Sequence, residues 1–347
     1  DMKLKKDTTD QKLRGAYYTP LQLSNAMVGF FMEDNITNIL EPSCGDGVFV
    51  DSIIQNGLLG DSSSITAIEI EESEAEKVKR RYNNQNINVL NKDFFYFYKE
   101  NYNKMKYDLI LGNPPYIRYQ YLTEKQREIQ SEILTTHGMK SNKLINAWVA
   151  FLVACIHMLN DNGKIAFVVP AEILQVAYAE DLRKFLSNEL SKITLITFEK
   201  LVFPDIEQEV LIFIGEKGKE EKGIRIIELE DLDELETLDL PSNKFQKMSH
   251  TKEKWTKYFT TKEEIELIQQ IKKDHRFMKF SEYGTINVGI TTGNNSYFSI
   301  DKQIEEEYQL SSVLLPLIGR SSHAKGIYFT KDDWLENVNN NKKAQLL

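Results

Sequence analysis

Two cysteines and five histidines are all that 347 residues offer of the side chains that build disulfide frameworks and soft metal sites. Cys44 and Cys155 fall far apart in different expected elements, so neither a bridge nor a metal framework is expected, and a reducing cytoplasm is the expected home. His137, His157, His250, His275 and His323 have no ligand spacing, so no metal site is expected. Long apolar runs are missing too: none approaches the ~20 residues of a membrane span, and no membrane partner is expected. Asp1–Thr9 is polar and charged, unlike a secretory signal. Positive charge is also in deficit. Lys and Arg number 43 against 52 Asp and Glu, and a net charge of −9 argues against general affinity for nucleic acid. The deficit is uneven, because Leu240–Phe280 holds ten basic and five acidic residues. A basic segment in an acidic chain fits a local contact with phosphate.

What the chain does have is a series of apolar strands that end in Gly- or Pro-rich loops. The run Tyr107–Leu111 reads as a buried parallel strand and leads into Asn113-Pro114-Pro115-Tyr116. Two prolines cannot continue a ladder, and Asn113 is held extended by the proline after it. A stiff loop therefore stands at the carboxyl end of a strand, where open α/β sheets bind ligands. The Asn113 side-chain oxygen and the Pro114 carbonyl can each accept one N–H of an amino group on a flat ring, while Tyr116 stacks on that ring.

Upstream, Ile36–Leu40 runs into Glu41-Pro42-Ser43-Cys44-Gly45-Asp46-Gly47 and then a helix from Val48 to Asn56. This is the opening of a nucleotide-binding α/β unit, but Val50 stands where a dinucleotide fingerprint needs its third glycine. Glu69 ends the next strand, about 20 residues on, where a carboxylate accepts ribose hydroxyls. After a third strand, Asp93 is placed to accept an exocyclic amine, with Phe94 against the ring. Thr19 is the expected cap of a helix from Leu21 to Met32, with Pro20 in its first turn. A fifth strand, Lys164–Val169, is followed by an expected helix from Ala171 to Asn188. Strands at Ile193–Phe198 and Glu209–Ile214 are expected to form an antiparallel hairpin at the sheet edge, with Phe203 in the loop between them. Gly215–Gly223 reads as a domain linker. An apolar strand is expected before the Gly/Asn turn at Gly289–Asn295, and the apolar ending Ala344–Leu347 suggests an incomplete second domain.

In motif order, these stretches resemble the gamma class of adenine-N6 DNA methyltransferases of bacterial restriction–modification systems. The order is Tyr17-Tyr18-Thr19-Pro20, the Glu41–Gly47 loop, Glu69, Asp93-Phe94, Asn113–Tyr116, the Asn146–Phe151 helix, Val202-Phe203-Pro204, and Val288–Asn294. The resemblance implies a class I S-adenosylmethionine-dependent methyltransferase: an α/β, seven-stranded, mostly parallel, doubly wound sheet with an antiparallel last strand. It further implies a catalytic domain over residues 1–220 and a partial target-recognition domain over 221–347. S-adenosylmethionine would be held by Tyr18, Thr19, Pro20, Glu41, Pro42, Gly45, Gly47, Glu69, Asp93, Phe94, Asn113 and Phe151. Asn113, Pro114 and Tyr116 would act on a flipped-out adenine stacked between Tyr116 and Phe203. Gly289, Thr292, Gly293 and Asn294 would touch double-stranded DNA. A cognate restriction endonuclease, or a nuclease fused outside this segment, is an expected partner. Rival readings are a protein-glutamine or RNA-base methyltransferase using the same tetrapeptide, or a catalytically silent DNA-binding module.

Overall fold

The structure is a computed structural model describing residues 19–60, 62–82, 86–203, 208–248, 254–260, 262–287 and 289–347. Nine strands form its main sheet: β1 (Asn38–Glu41), β2 (Ser64–Glu69), β3 (Ile87–Asn91), β4 (Tyr107–Gly112), β5 (Leu159–Pro170), β6 (Lys192–Phe198), β7 (Val210–Glu216), β8 (Gly223–Leu229) and β9 (Gln246–Lys247). Their spatial order is β3-β2-β1-β4-β5-β7-β6-β8-β9. β3 through β5 pair in parallel. β7 runs antiparallel to both β5 and β6. Ile39, Leu40, Ile65, Ala67 and Leu109–Leu111 are wholly buried, as parallel strands covered on both faces must be.

Helices α1 (Leu21–Gly29), α2 (Val48–Gln55), α3 (Glu72–Arg81) and α4 (Phe94–Asn101) precede or follow the first three strands. Between β4 and β5 lie α5 (Glu124–Thr136) and α6 (Ala147–His157), and α7 (Glu180–Glu189) leads into β6. Every residue of α6 from Ala147 to Ile156 is buried, the mark of a helix covered all round. The chain winds outward from β1 in one direction through β2 and β3, then returns to β4 on the other side of β1. Right-handed crossovers reverse face at such a point, and a crevice opens at the carboxyl ends of β1 and β4.

The sheet corrects several expectations. Among the described residues it has nine strands rather than seven, and the antiparallel pair is interior, because β8 adds in parallel outside β6. The expected linker Gly215–Gly223 spans the end of β7, a short connection and the first residue of β8, so a break near residue 220 would fall within the sheet. The compact units divide between Gln269 and Gln270. The segment expected as one helix from Ala171 breaks into 3-10 turns at Ala171–Leu174 and Ala177–Ala179 before α7. Arg183 Nη1 donates to the Ile173 and Val176 carbonyls there, taking acceptors that a continuous helix would need. Thr19 does not cap α1: Pro20 stands at the cap position with no side-chain bond. The second unit holds a small antiparallel sheet in the order β10 (Ser299–Ile300), β12 (Gln345–Leu346), β11 (Leu315–Pro316). No strand forms before its Gly/Asn turn among the described residues, where Ile286 and Ile290 are exposed; Val288 lies outside them.

Gly47 begins α2 at φ +88°, and a Cβ on it would stand 2.8 Å from Val78 Cγ2 of α3. Gly45, at φ +53°, faces open space. Gly47→Ala should therefore cost about 1–3 kcal/mol in thermal or denaturant unfolding. A Val78→Ala background should recover part of that loss, whereas Gly45→Ala should show only the backbone strain of about 1–2 kcal/mol. Equal losses in both backgrounds would contradict the packing argument.

Candidate active site

The crevice contains a cavity of about 500 Å³. Three loops meet on it, each stopped by its own chemistry. After β1, Pro42 ends the ladder and the left-handed glycines Gly45 and Gly47 turn the chain into α2. After β2, Glu69 turns its carboxylate back. Gly45 N–H donates to Oε2 and Glu71 N–H to Oε1, both at 2.8 Å, which fastens the two loops together. After β4, Asn113 and its prolines stop the strand. Asn113 Nδ2 donates to Thr19 Oγ1 at 3.2 Å, and Ser43 Oγ donates to the Asn113 carbonyl at 3.3 Å. The Tyr116 hydroxyl lies between two acceptors, Asn113 Oδ1 at 2.9 Å and the Val168 carbonyl at 3.1 Å. The tetrapeptide is thus braced to β5 and to the approach to α1.

Thr19, Glu41, Pro42, Gly45, Glu69, Asp93, Phe94, Asn113 and Phe151 all line this one cavity, although they come from segments up to 132 positions apart. The Phe94 and Phe151 rings stack with centroids 4.7 Å apart. Asp93 caps α4 by accepting from Phe95 N–H at 2.8 Å. Gly47 is not on the wall, since its turn packs on Val78. Neither is Pro20, and Tyr18 lies outside the described residues. Pro115 rather than Pro114 reaches the lining. Tyr116 and Phe203 are buried, 8% and 7% exposed, and neither contributes to the cavity wall. In the second unit, Thr292 Oγ1 donates to Asn295 Oδ1 at 2.6 Å, Gly293 turns at φ +72°, and Asn294 caps the short helix Asn295–Phe298. Gly289 is exposed beside that turn.

The wall is strongly acidic. Among the described residues, six carboxyl side chains, Glu41, Asp46, Glu69, Glu71, Glu74 and Asp93, face it together with one lysine, Lys92. Lys92 is already ion-paired with Glu100. Burial, and then the Glu69, Asp46 and Asp51 carboxylates, hold Glu41 well above the usual carboxylate range. Burial also raises Glu69, against the Glu71 and Gly45 N–H groups that pull it down. Asp46 is raised by burial as well. Such a cavity favours a ligand that brings positive charge, hydroxyls for Glu69 and a flat ring for Phe94 and Phe151.

Gln126 is among the wall residues that were not expected. In the first turn of α5, it donates from Nε2 to Asp93 Oδ2 at 2.6 Å. Its Oε1 accepts from Thr123 N–H at 2.9 Å in a capping box. The Thr-x-x-Gln spacing announces that box in the sequence, but the direction of the amide's other end depends on α4 and α5 packing together.

Comparison with known proteins agrees with this geometry. The profile of the Eco57I restriction-modification methylase family matches residues 5–203. The profile of the C-terminal domain of the type II methyltransferase M.Eco57I matches residues 252–347. The type II methyltransferase M.AccI of Acinetobacter calcoaceticus is 29% identical over 346 residues, covering 95% of this chain and 61% of its own length. This chain therefore spans about three-fifths of that relative. Among solved structures, the type IIG restriction endonuclease BpuSI matches with a TM-score of 0.55 at 15% identity, over 96% of this chain and 43% of its own. A Listeria monocytogenes protein described as a class I S-adenosylmethionine-dependent methyltransferase matches with a TM-score of 0.52 at 17% identity, over 64% of this chain and 72% of its own. These structural likenesses speak to the fold: a class I methyltransferase sheet.

Gln126→Ala would strip Asp93 of its amide partner and open the capping box. The expected cost is about 0.5–2 kcal/mol in chemical denaturation, with weaker binding of an adenine-bearing ligand in calorimetry. Unchanged stability and binding would remove Gln126 from the site.

Proposed function

The chain belongs to the Eco57I restriction-modification methylase family, and from that premise we propose that it is the methyl-transferring part of a site-specific adenine-N6 DNA methyltransferase. Family and fold imply S-adenosylmethionine as cofactor. The residues present fit that molecule: the acidic wall suits its cationic methionine end, Glu69 its ribose hydroxyls, and Asp93 with Phe94 and Phe151 its adenine. Buried Glu41 Oε2, without a hydrogen-bond partner among the described residues, is an acceptor waiting for a donor. When bound, the cofactor supplies an activated methyl group.

The observation that carries the proposal is the Asn113–Tyr116 loop, set at the carboxyl end of β4 with Asn113 on the wall of that acidic cavity. Asn113 Oδ1 and the Pro114 carbonyl are assigned as the two acceptors, although Pro114 is buried and off the described lining. Taking the two hydrogens of an adenine amine, they would turn its nitrogen lone pair toward the cavity and hold the charge that forms there. No covalent link to the protein is required. A base inside a duplex hides its amine, so the reading entails base flipping. Tyr116 and Phe203 are assigned to the two faces of the flipped base. Both rings are buried in the structure, so the assignment entails their uncovering when DNA binds.

The second unit, with Gly289, Thr292, Gly293 and Asn294, is assigned to target recognition, and double-stranded DNA to the partner. A restriction endonuclease working on the same site fits the family. No helix among the described residues is long and apolar enough to cross a membrane, and a cytoplasmic location fits a DNA-modifying role.

Asn113→Ala should abolish methyl transfer to DNA while S-adenosylmethionine binding persists, measured by labelled-methyl incorporation and by calorimetry. Undiminished turnover would refute the assigned role. Phe203→Ala should weaken DNA binding by about 1–3 kcal/mol, the worth of one stacked base. A DNA affinity equal to that of the parent chain would remove Phe203 from the base slot.

A further inference from the structure

Glu41 is the most buried carboxyl group on the described cavity wall. It ends β1, is 1% exposed, and its Oε2 is buried without a hydrogen-bond partner among the described residues. Its stem lies along Gly112, the residue before Asn113: a Cβ on Gly112 would be 3.9 Å from Glu41 Cγ. Among the described residues, the titratable groups that bear on it are acidic or neutral: Glu69 at the end of β2, Asp46 in the glycine turn, Asp51 in α2 and the buried Cys44 thiol. Glu69 differs from Glu41 in accepting two backbone N–H groups. Arg81 of α3 is engaged on the far side of the turn, bonding Asp51 at 2.7 and 2.6 Å and the Asp46 carbonyl at 3.3 Å.

A carboxylate buried among other carboxylates, with an oxygen lacking a donor, is costly to ionise. A cation placed beside it removes that cost. We propose that Glu41 carries a proton in the free protein and releases it when a cationic group enters the cavity, so that cofactor binding is coupled to proton release. The inference rests on the cofactor reading above and deepens it. In the step the carboxyl O–H bond breaks, the proton passes to solvent, and the carboxylate keeps the electron pair and faces the incoming cation. The upward shift of Glu41 by burial and by its acidic neighbours points the same way. While Glu41 is protonated in the free state, raising the pH should tighten binding by up to about tenfold per unit. The cation can be the sulfonium or the ammonium of S-adenosylmethionine, and the test separates them.

The measurement is isothermal titration calorimetry near pH 6.5, below the α-amino range of about 7.7–8.0, in two buffers of different ionisation enthalpy. Three ligands are compared: S-adenosylmethionine with both cations, S-adenosylhomocysteine with the ammonium alone, and 5′-methylthioadenosine with neither. The expected result is a buffer-dependent enthalpy that reports release of up to one proton with S-adenosylmethionine, and none with 5′-methylthioadenosine. Release with S-adenosylhomocysteine assigns the ammonium; its absence assigns the sulfonium. Glu41→Gln should abolish the release and flatten the pH dependence of affinity. If that variant does not fold, infrared difference spectra of the parent chain should lose a protonated-carboxyl band on binding. Buffer-independent enthalpy with S-adenosylmethionine, equal release with 5′-methylthioadenosine, persistence of release in Glu41→Gln, or no loss of the infrared band would overturn the proposal. A chain that binds none of the three overturns the cofactor reading itself, a failure distinct from binding without proton release.

Discussion

The site depends on one carboxylate that joins two loops. Glu69 accepts N–H groups from Gly45 and Glu71, so the turn after β1 and the turn after β2 are held by the two oxygens of a single side chain. Each oxygen still has acceptor capacity for a ligand hydroxyl. Gly45 itself turns the chain in the left-handed region. Gly47 then carries the chain into α2 with no room for a side chain against Val78. Loop position, helix entry and ligand contact are consequences of the same few atoms.

Around that joint the described residues gather carboxyl groups. Glu41, Asp46 and Glu69 are all held above the ordinary carboxylate range, mainly by burial. Like charges brought together at a cost to the free protein are a common sign of a functional site. In the proposed function the compensating charge comes from outside, with a positively charged methyl donor. On the opposite wall the requirement is rigidity rather than charge. Asn113 is bonded through Thr19, Ser43 and Tyr116, so its position follows from the first strand, the first helix and the fifth strand together.

Much of this was legible in the sequence because the signals are local. A glycine pair after a short apolar run, an acid at the next strand end and a double proline after another each mark a strand end. Parallel topology brings those ends together. Other features were not local. Gly215 and Gly223 resemble hinge glycines, yet a Cβ on Gly215 would stand 2.7 Å from Leu190 Cδ1 and one on Gly223 2.9 Å from Phe245 Cβ. They are glycines of close packing, and the sheet runs on through them into β8. Gln126 was invisible as a wall residue because its partner Asp93 lies 33 positions away. The cap expected at Thr19 failed because Pro20 is still extended, at ψ 139°, which starts the helix a residue later and leaves Thr19 to meet Asn113.

The central claim is that a rigid amide and carbonyl pair beside an acidic cofactor cavity directs a methyl group to the adenine amine of DNA. Its most direct test is transfer of label from S-adenosylmethionine to unmethylated genomic DNA, a tRNA pool and a release-factor protein, offered separately, with the DNA then digested to nucleosides. The account predicts label in DNA alone, recovered as N6-methyladenosine of the deoxy series. Label recovered as a methylated cytosine, or in the tRNA or the protein and not in DNA, would contradict it.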